Sequence, residues 1–266
     1  MAFVALITGA SSGIGEATAR RFAREPDARL ILVARREDRL RALADELGGA
    51  TVIAADLTAP DAPAHVREVV ERDHGGELHM LVNNAGAAWR GTFADKGWAN
   101  IERHMKLNFE APVRLTEALL PLLRATAAAS GPDTDQRKVS IVNIASTAAR
   151  VSRPSSAAYS ASKFALVGWS DGLHIEEAPN GVHVGVVFPG FIRTEGFPAA
   201  ELPGFMVSEP PIVADAVWQT GPGGKAERYV PRPYFVAAAL RLLAPAVVRR
   251  GLARGGLATA TSATED

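Results

Sequence analysis

Three side chains in the middle of the chain offer the most legible chemistry. Tyr159 and Lys163, in Tyr159-Ser160-Ala161-Ser162-Lys163, are four residues apart and share one face if that run is helical. An ammonium about 4 Å from a phenol favours the phenolate by up to ~4 kcal/mol at an effective dielectric of about 20. One pKa unit is about 1.4 kcal/mol, so a phenol near ~10 is expected to fall roughly two to three units towards neutrality. Such a phenol works as a general acid or base. Ser146 closes Ile141-Val142-Asn143-Ile144-Ala145-Ser146, a strand-like run, and its hydroxyl could hold a substrate oxygen. A tyrosine and lysine at this spacing occur often by chance. A strand-end serine upstream, and a glycine turn before that, make chance a poor explanation.

That turn is Thr8-Gly9-Ala10-Ser11-Ser12-Gly13-Ile14-Gly15. Glycines let the backbone turn tightly and approach a pyrophosphate, whose charge is favoured at a helix N-terminus. The spacing is G-x-x-x-G-x-G rather than the G-x-G-x-x-G of the standard dinucleotide fingerprint. A plain strand–helix connection is the other reading of the same residues. About 20 residues beyond such a turn, a dinucleotide site reads the adenosine ribose. Here stand Ala34-Arg35-Arg36, with no carboxylate before Glu37. Arginine forks suit a 2′-phosphate, although two solvated arginines can also simply start a helix. Asp56-Leu57 ends another strand-like run, where the carboxylate either accepts from an adenine amino group or caps a helix. Asn83-Asn84-Ala85-Gly86 either ties strands together beside a cofactor or makes a turn.

The elements that must position these groups follow a regular alternation. Phe3–Thr8, Leu30–Ala34, Thr51–Ala55, Met80–Asn83, Val139–Ala145 and Val182–Phe188 read as strands buried on both faces, with Arg228–Pro231 a short seventh. Gly13–Arg24, Arg36–Glu46, Ala64–Asp73, Ile101–Arg124 and Ser156–Glu177 read as helices. Strand and helix in alternation predict right-handed crossovers and an α/β fold with a parallel sheet covered on both sides. Ala127–Lys138 and the proline-containing stretch 190–211 read as loops, the second a substrate loop or lid. Residues 1–254 are expected to form one domain, with 255–266 a disordered tail.

Composition narrows the function classes. Lys+Arg and Asp+Glu both number 29, so no net charge draws the chain to nucleic acid. With no cysteine, thiol catalysis and cysteine-ligated metals are excluded, and the six histidines show no metal-ligand spacing, so no metal is expected. The N-terminal run Met1–Ile7 lacks the basic flank and length of a signal peptide, and no apolar stretch reaches the ~18–20 residues of a membrane span. A cytoplasmic protein is expected. Tyr234–Arg254 mixes apolar residues with arginines, which suits a subunit contact, a lid or a membrane-surface helix; protein packing is preferred to membrane contact because Pro245 bends it.

Taken in order, TGASSGIG, NNAG, a strand-end serine, YSASK and Pro189-Gly190 make the chain resemble the short-chain dehydrogenase/reductase family from about Phe3 to Thr194. The resemblance implies a Rossmann-type, doubly wound parallel sheet of strand order 3-2-1-4-5-6-7 and hydride transfer between a nicotinamide and an alcohol or ketone carbon. It implies that Gly9, Ser11, Ser12, Gly13, Ile14 and Gly15 receive the pyrophosphate and that Arg35 and Arg36 select NADP(H). Asp56 and Leu57 match the adenine pair, Asn84, Ala85 and Gly86 the cofactor cleft, and Pro189, Gly190 and Thr194 the nicotinamide carboxamide segment. Asn108 matches an asparagine that holds a proton-relay water, and Ser146, Tyr159 and Lys163 match the catalytic trio, of which Tyr159 and Lys163 also face the cofactor. Two departures stand out: the long stretch Ala127–Lys138, and a C-terminal region without the glycine-ending last strand of many tetrameric members. A homodimer or homotetramer is expected. The partner is a small carbonyl or alcohol substrate, and Trp89, Phe191, Phe197, Phe205 and Met206 favour a lipophilic one. The alternative is a catalytically silent, cofactor-binding regulator on the same fold.

Overall fold

A computed structural model describes residues 2–130, 138–197 and 204–254. β1 (Phe3–Thr8) is buried along its whole length, as an apolar run covered on both faces must be. Phe3, Ala5 and Ile7 enter one core cluster while Val4 and Leu6 enter another, the period-two alternation of a strand. The chain continues through α1 (Gly13–Phe22), β2 (Ala28–Ala34), α2 (Glu37–Glu46), β3 (Thr51–Ala54), α3 (Ala62–His74) and β4 (Met80–Asn83). α4 (Phe93–Met105), a π turn (Lys106–Glu110) and α5 (Ala111–Ser130) lead to β5 (Ser140–Ile144), α6 (Ala157–Glu177) and β6 (His183–Pro189). A small ribbon, β7 (Phe191–Ile192) with β8 (Val207–Ser208), precedes α7 (Pro210–Thr220), β9 (Glu227–Val230), α8 (Tyr234–Leu243) and α9 (Pro245–Arg254).

Seven strands form one parallel sheet in the order β3-β2-β1-β4-β5-β6-β9. This is the expected Rossmann-type, doubly wound order, with β9 as the seventh strand. Phe22, Leu40 and Val217 bring α1, α2 and α7 onto one face; Val66, Leu115 and Leu173 bring α3, α5 and α6 onto the other. The order reverses between β1 and β4, and in open α/β sheets ligands bind in the crevice at the strand carboxyl ends beside such a point.

Several local expectations are corrected. The single helix Ile101–Arg124 is two helices joined by a π turn, and it starts earlier because the Thr92 hydroxyl caps α4 by accepting from Asp95 N. Gly97, at φ +56°, hides that start by breaking the helical run. The loop expected from Ala127 begins later, since helix-favouring alanines carry α5 to Ser130; residues 131–137 lie outside those described. The loop expected over 190–211 holds the β7–β8 ribbon, and α7 begins at Pro210, where prolines fit a first turn whose amides need no intrahelical partner. Residues 198–203 and the tail 255–266 also lie outside the described residues. Tyr234–Arg254 is two helices parted at Ala244. Among the described residues, no helix is long and apolar enough to cross a membrane.

Candidate active site

The glycine turn is built to leave no room. Thr8 Oγ1 donates to the Val82 carbonyl and accepts from the amides of Asn84 and Ala85, which locks the end of β1 to the end of β4. Asn84 Nδ2 donates to the Thr8 carbonyl at 2.8 Å. A Cβ on Gly9 would stand 2.8 Å from that amide nitrogen, and one on Gly15 only 2.3 Å from the Gly9 oxygen. Both positions therefore require glycine, and Gly9 also has a left-handed φ of +66°. Thr194 lies over the start of α1, since a Cβ on Gly13 would meet its methyl at 3.1 Å. Asn83 Nδ2 reaches the Asn143 side chain at 2.8 Å across β4–β5, so it is strand cross-linking that this amide performs.

The two arginines after β2 are not equivalent. Arg36 Nη2 donates to Ser12 Oγ at 2.7 Å and to Ser11 Oγ at 3.2 Å, and Nη1 pairs with Glu195 at 3.1 Å. Arg39 joins the same carboxylate at 2.7 Å, and the two guanidiniums hold Glu195 down to about 2, Arg39 contributing most. Arg35 is exposed. Asp56 accepts from the amide and the hydroxyl of Thr58 through one oxygen, bracing a turn, and these bonds hold its carboxyl below the usual range. It caps no helix; α3 starts after Asp61.

Ser146, Tyr159 and Lys163 come together at the carboxyl end of β5. Ser146 Oγ accepts from the Ala148 amide at 3.1 Å and lies 3.4 Å from the Pro189 carbonyl, which ties the ends of β5 and β6 together. Lys163 is buried; its Nζ donates to the Ile144 carbonyl at 2.8 Å, and burial lowers its pKa to about 8. The expected lowering of the phenol by this lysine is absent. Nζ is 6.0 Å from the Tyr159 ring centre, and burial pushes the phenol upward, opposed by the Ser146 side chain and by the charge of Arg153. Desolvation of the phenol outweighs the lowering that helical spacing alone suggests.

One face of α4 and the π turn fixes the segment opposite. Asn100, His104 and Asn108 recur every four residues. Asn100 Nδ2 donates to the Trp89 carbonyl, and His104 Nε2 accepts from the Trp89 amide at 3.0 Å. Asn108 accepts from the Ala87 amide and donates to both the Ala87 carbonyl and Ser162 Oγ. With Nδ1 at 2.6 Å from the Asn100 carbonyl and Nε2 accepting, His104 is a neutral imidazole, and burial lowers its pKa. Its ring meets Tyr159 edge-on at 6.1 Å. Reading the sequence missed Asn100 and His104, although the four-residue recurrence was its available signal. Asn108 is where it was expected, beside Lys163: a Cβ on Gly86 would meet Asn108 Oδ1 at 2.9 Å and Lys163 Nζ at 3.4 Å.

The far wall comes from the C-terminal half. The Tyr234 ring covers Gly190, whose Cβ would fall 2.2 Å from it, and its hydroxyl donates to the Met206 carbonyl. Phe191 stacks on Phe197 at 5.8 Å. A cavity of about 480 Å³ opens between α1 and α7, bordered by Ser12, Gly13 and Thr194; of its arginines, Arg20, Arg21, Arg39 and Arg193 pair with carboxylates. Ser146, Tyr159 and Lys163 are not among its lining residues.

Comparison with known proteins agrees with this geometry. Residues 3–201 match the family described as short chain dehydrogenase. Dehydrogenase/reductase SDR family member 7B of Danio rerio is 34% identical over 201 residues, 72% of this chain and 61% of that protein. The match thus spans less than two thirds of that relative. Oxidoreductase UcpA of Salmonella typhimurium is 37% identical, over 71% of this chain and 69% of its own. Among solved structures, a short-chain dehydrogenase from Streptomyces avermitilis superposes with a TM-score of 0.78 at 28% identity, covering 96% of this chain and 98% of that one. An alcohol dehydrogenase from the archaeon Thermococcus sibiricus, complexed with 5-hydroxy-NADP, gives 0.73 at 25% identity, covering 86% and 95%. The chain belongs to the short-chain dehydrogenase family, whose members are oxidoreductases that bind a nicotinamide dinucleotide.

Proposed function

We propose that this chain is an NADP(H)-dependent oxidoreductase acting on an alcohol or ketone carbon, with Tyr159 as its general acid/base. The convergence of Ser146, Tyr159 and Lys163 beside a cradle that one methyl group would fill carries the reading. The residues fit a dinucleotide. Gly9, Ser11, Ser12, Gly13, Ile14 and Gly15 would hold the pyrophosphate at the start of α1, and Arg36, with Arg35 at its side, the 2′-phosphate. Asp56 and Leu57 would take the adenine, Asn84, Ala85 and Gly86 the cleft, Lys163 the nicotinamide ribose, and Pro189, Gly190 and Thr194 the carboxamide. The complex of the Thermococcus sibiricus relative with 5-hydroxy-NADP supports the choice of NADP(H).

When bound, the nicotinamide supplies the hydride or takes it up. The protein's own groups handle the oxygen. In reduction, Tyr159 donates its phenolic proton to the carbonyl oxygen, and burial keeps that phenol protonated at neutral pH. The Ser146 hydroxyl donates to the same oxygen as negative charge develops there. Asn108 keeps Ala87 and Ser162 against the π turn through its amide hydrogens and its oxygen, and it would hold a relay water beside Lys163. The test is loss of NADPH absorbance with a panel of aliphatic and aromatic ketones. Turnover with NADPH, and far less with NADH, is expected; no turnover with any ketone, or equal use of both cofactors, contradicts the reading.

A further inference from the structure

Among the described residues, Arg153 is a cation held in place without a protein anion. Its guanidinium carbon lies 4.3 Å from the centre of the Phe191 ring, and Arg90 covers the stacked Phe197 in the same way at 5.4 Å. Two guanidiniums thus cover one aromatic pair. Burial weakens Arg153's hold on its proton, and the Arg90 charge weakens it further. Through its guanidinium, Arg153 makes no hydrogen bond or ion pair with any described residue. Arg36, Arg39, Arg150 and Arg193, by contrast, all pair with carboxylates. A cation–π contact engages the guanidinium face and leaves the N–H donors at its edge for an acceptor.

The backbone beneath it is over-determined. Ser156 Oγ donates to the Arg153 carbonyl at 2.7 Å and accepts from the Arg153 amide at 3.2 Å. The Gly91 amide donates to the Ser155 carbonyl at 3.1 Å. Ser155 sits at φ +57°, a left-handed conformation that a non-glycine residue keeps only when its surroundings enforce it. The charge so held acts on the hydroxyls of Tyr159 and Tyr234, one in the proton-transfer trio and one on the wall over Gly190.

We propose that Arg153 anchors a carboxylate of the substrate, so that the enzyme acts on an apolar or aromatic oxo acid, or the matching hydroxy acid, whose reacting oxygen rests on Ser146 and Tyr159. The fork of N–H donors matches a carboxylate, and the Phe191–Phe197 pair lines the apolar stretch between the acid and the reacting carbon. This rests on the oxidoreductase reading above and names the substrate class of the same site.

The test compares 4-oxo-4-phenylbutanoate with its methyl ester as substrates alongside NADPH. The acid is expected to exceed the ester in kcat/KM by about 10- to 150-fold, the worth of one charged hydrogen bond. Arg153→Leu should bring the ratio near one, and Arg153→Lys, which keeps the charge, should restore part of it. A residue that only supports the fold would lower both rates together and leave the ratio alone. An ester equal to the acid, or a ratio untouched in both variants, overturns the proposal while ester turnover leaves the oxidoreductase reading standing. A binding arm works without turnover: 4-phenylbutanoate added to the protein with NADP+ and followed by tryptophan fluorescence. Binding that Arg153→Leu abolishes supports the anchor even if no ketone is reduced; no binding at millimolar concentration, together with no acid turnover, overturns it.

Discussion

Lys163, one helical turn after Tyr159, donates from Nζ to the Ile144 carbonyl at 2.8 Å, and Nζ lies 6.0 Å from the centre of the Tyr159 ring. Helical spacing thus puts the two residues on one face of α6. Burial then decides both titrations, raising the phenol and lowering the amine, because each charged form is the one that desolvation penalises.

The first prediction concerns tyrosine ionisation. The chain has three tyrosines, Tyr159, Tyr229 and Tyr234, and burial pushes all three upward. In the cofactor-free protein, near-ultraviolet phenolate absorbance should therefore develop only above the ordinary phenol value of ~10. A tyrosine titrating near neutrality, and missing from Tyr159→Phe, would contradict this.

The buried lysine makes stability depend on pH. Its folded pKa of about 8 lies below the ordinary lysine value of 10.5, so between those values the unfolded chain binds more protons and stability rises with pH. The penalty is fully present below pH 8 and fades by about 10.5, an order-of-magnitude change of ~3 kcal/mol. Compared with Lys163→Met, the cofactor-free wild type should gain on that scale over this window in urea denaturation. A difference between the two that does not vary with pH would remove the buried charge from the account.

The clamp on residues 87–89 should also be measurable. Asn108→Ala leaves the Ala87 amide and carbonyl without this partner and removes one donor from Ser162 Oγ, which still donates to the Tyr159 carbonyl. An unsatisfied buried polar group costs about 1–3 kcal/mol, and the loss should appear in the denaturation midpoint together with a lower kcat. His104→Ala should act on the same segment through Trp89 and lower kcat as well. Unaltered stability in Asn108→Ala would show that the clamp contributes nothing.

Cofactor choice should follow Arg36 more than Arg35. Arg36 reaches the serines of the glycine turn, while Arg35 is exposed. Arg36→Leu should lower kcat/KM for NADPH by about 10- to 150-fold, with a smaller effect on NADH and a smaller loss for Arg35→Ala. Glu195 competes for the same guanidiniums, so Glu195→Gln should raise the NADPH to NADH ratio severalfold at low salt. Screening over about 8–10 Å should shrink both effects as salt rises. Steady-state kinetics with both cofactors checks all three variants, and equal losses for NADPH and NADH in Arg36→Leu would contradict the assignment.

Much of this was legible in the residues. Continuous apolar runs such as FVALIT announce strands covered on both faces, and their alternation with helices gives a parallel α/β sheet, while its strand order came from the family resemblance. Gly9, Gly15, Ser146, Tyr159 and Lys163 were legible because turns and helix faces are local. What escaped is long-range or concealed. Gly97 interrupts α4 and hides the recurrence of Asn100 and His104; Pro210 and Pro211 disguise the first turn of α7. Arg153 becomes informative only once the fold brings Phe191 beneath it. The Tyr159 shift took the opposite sign because desolvation is set by packing, which spacing alone does not reveal.

Single-turnover reduction of a ketone by Tyr159→Phe loaded with NADPH shows whether Tyr159 moves the proton in a hydride transfer. Hydride transfer should be at least ~10²-fold slower than in the wild type, with NADPH still bound. Hydride transfer at a rate close to wild type in that variant would contradict that role.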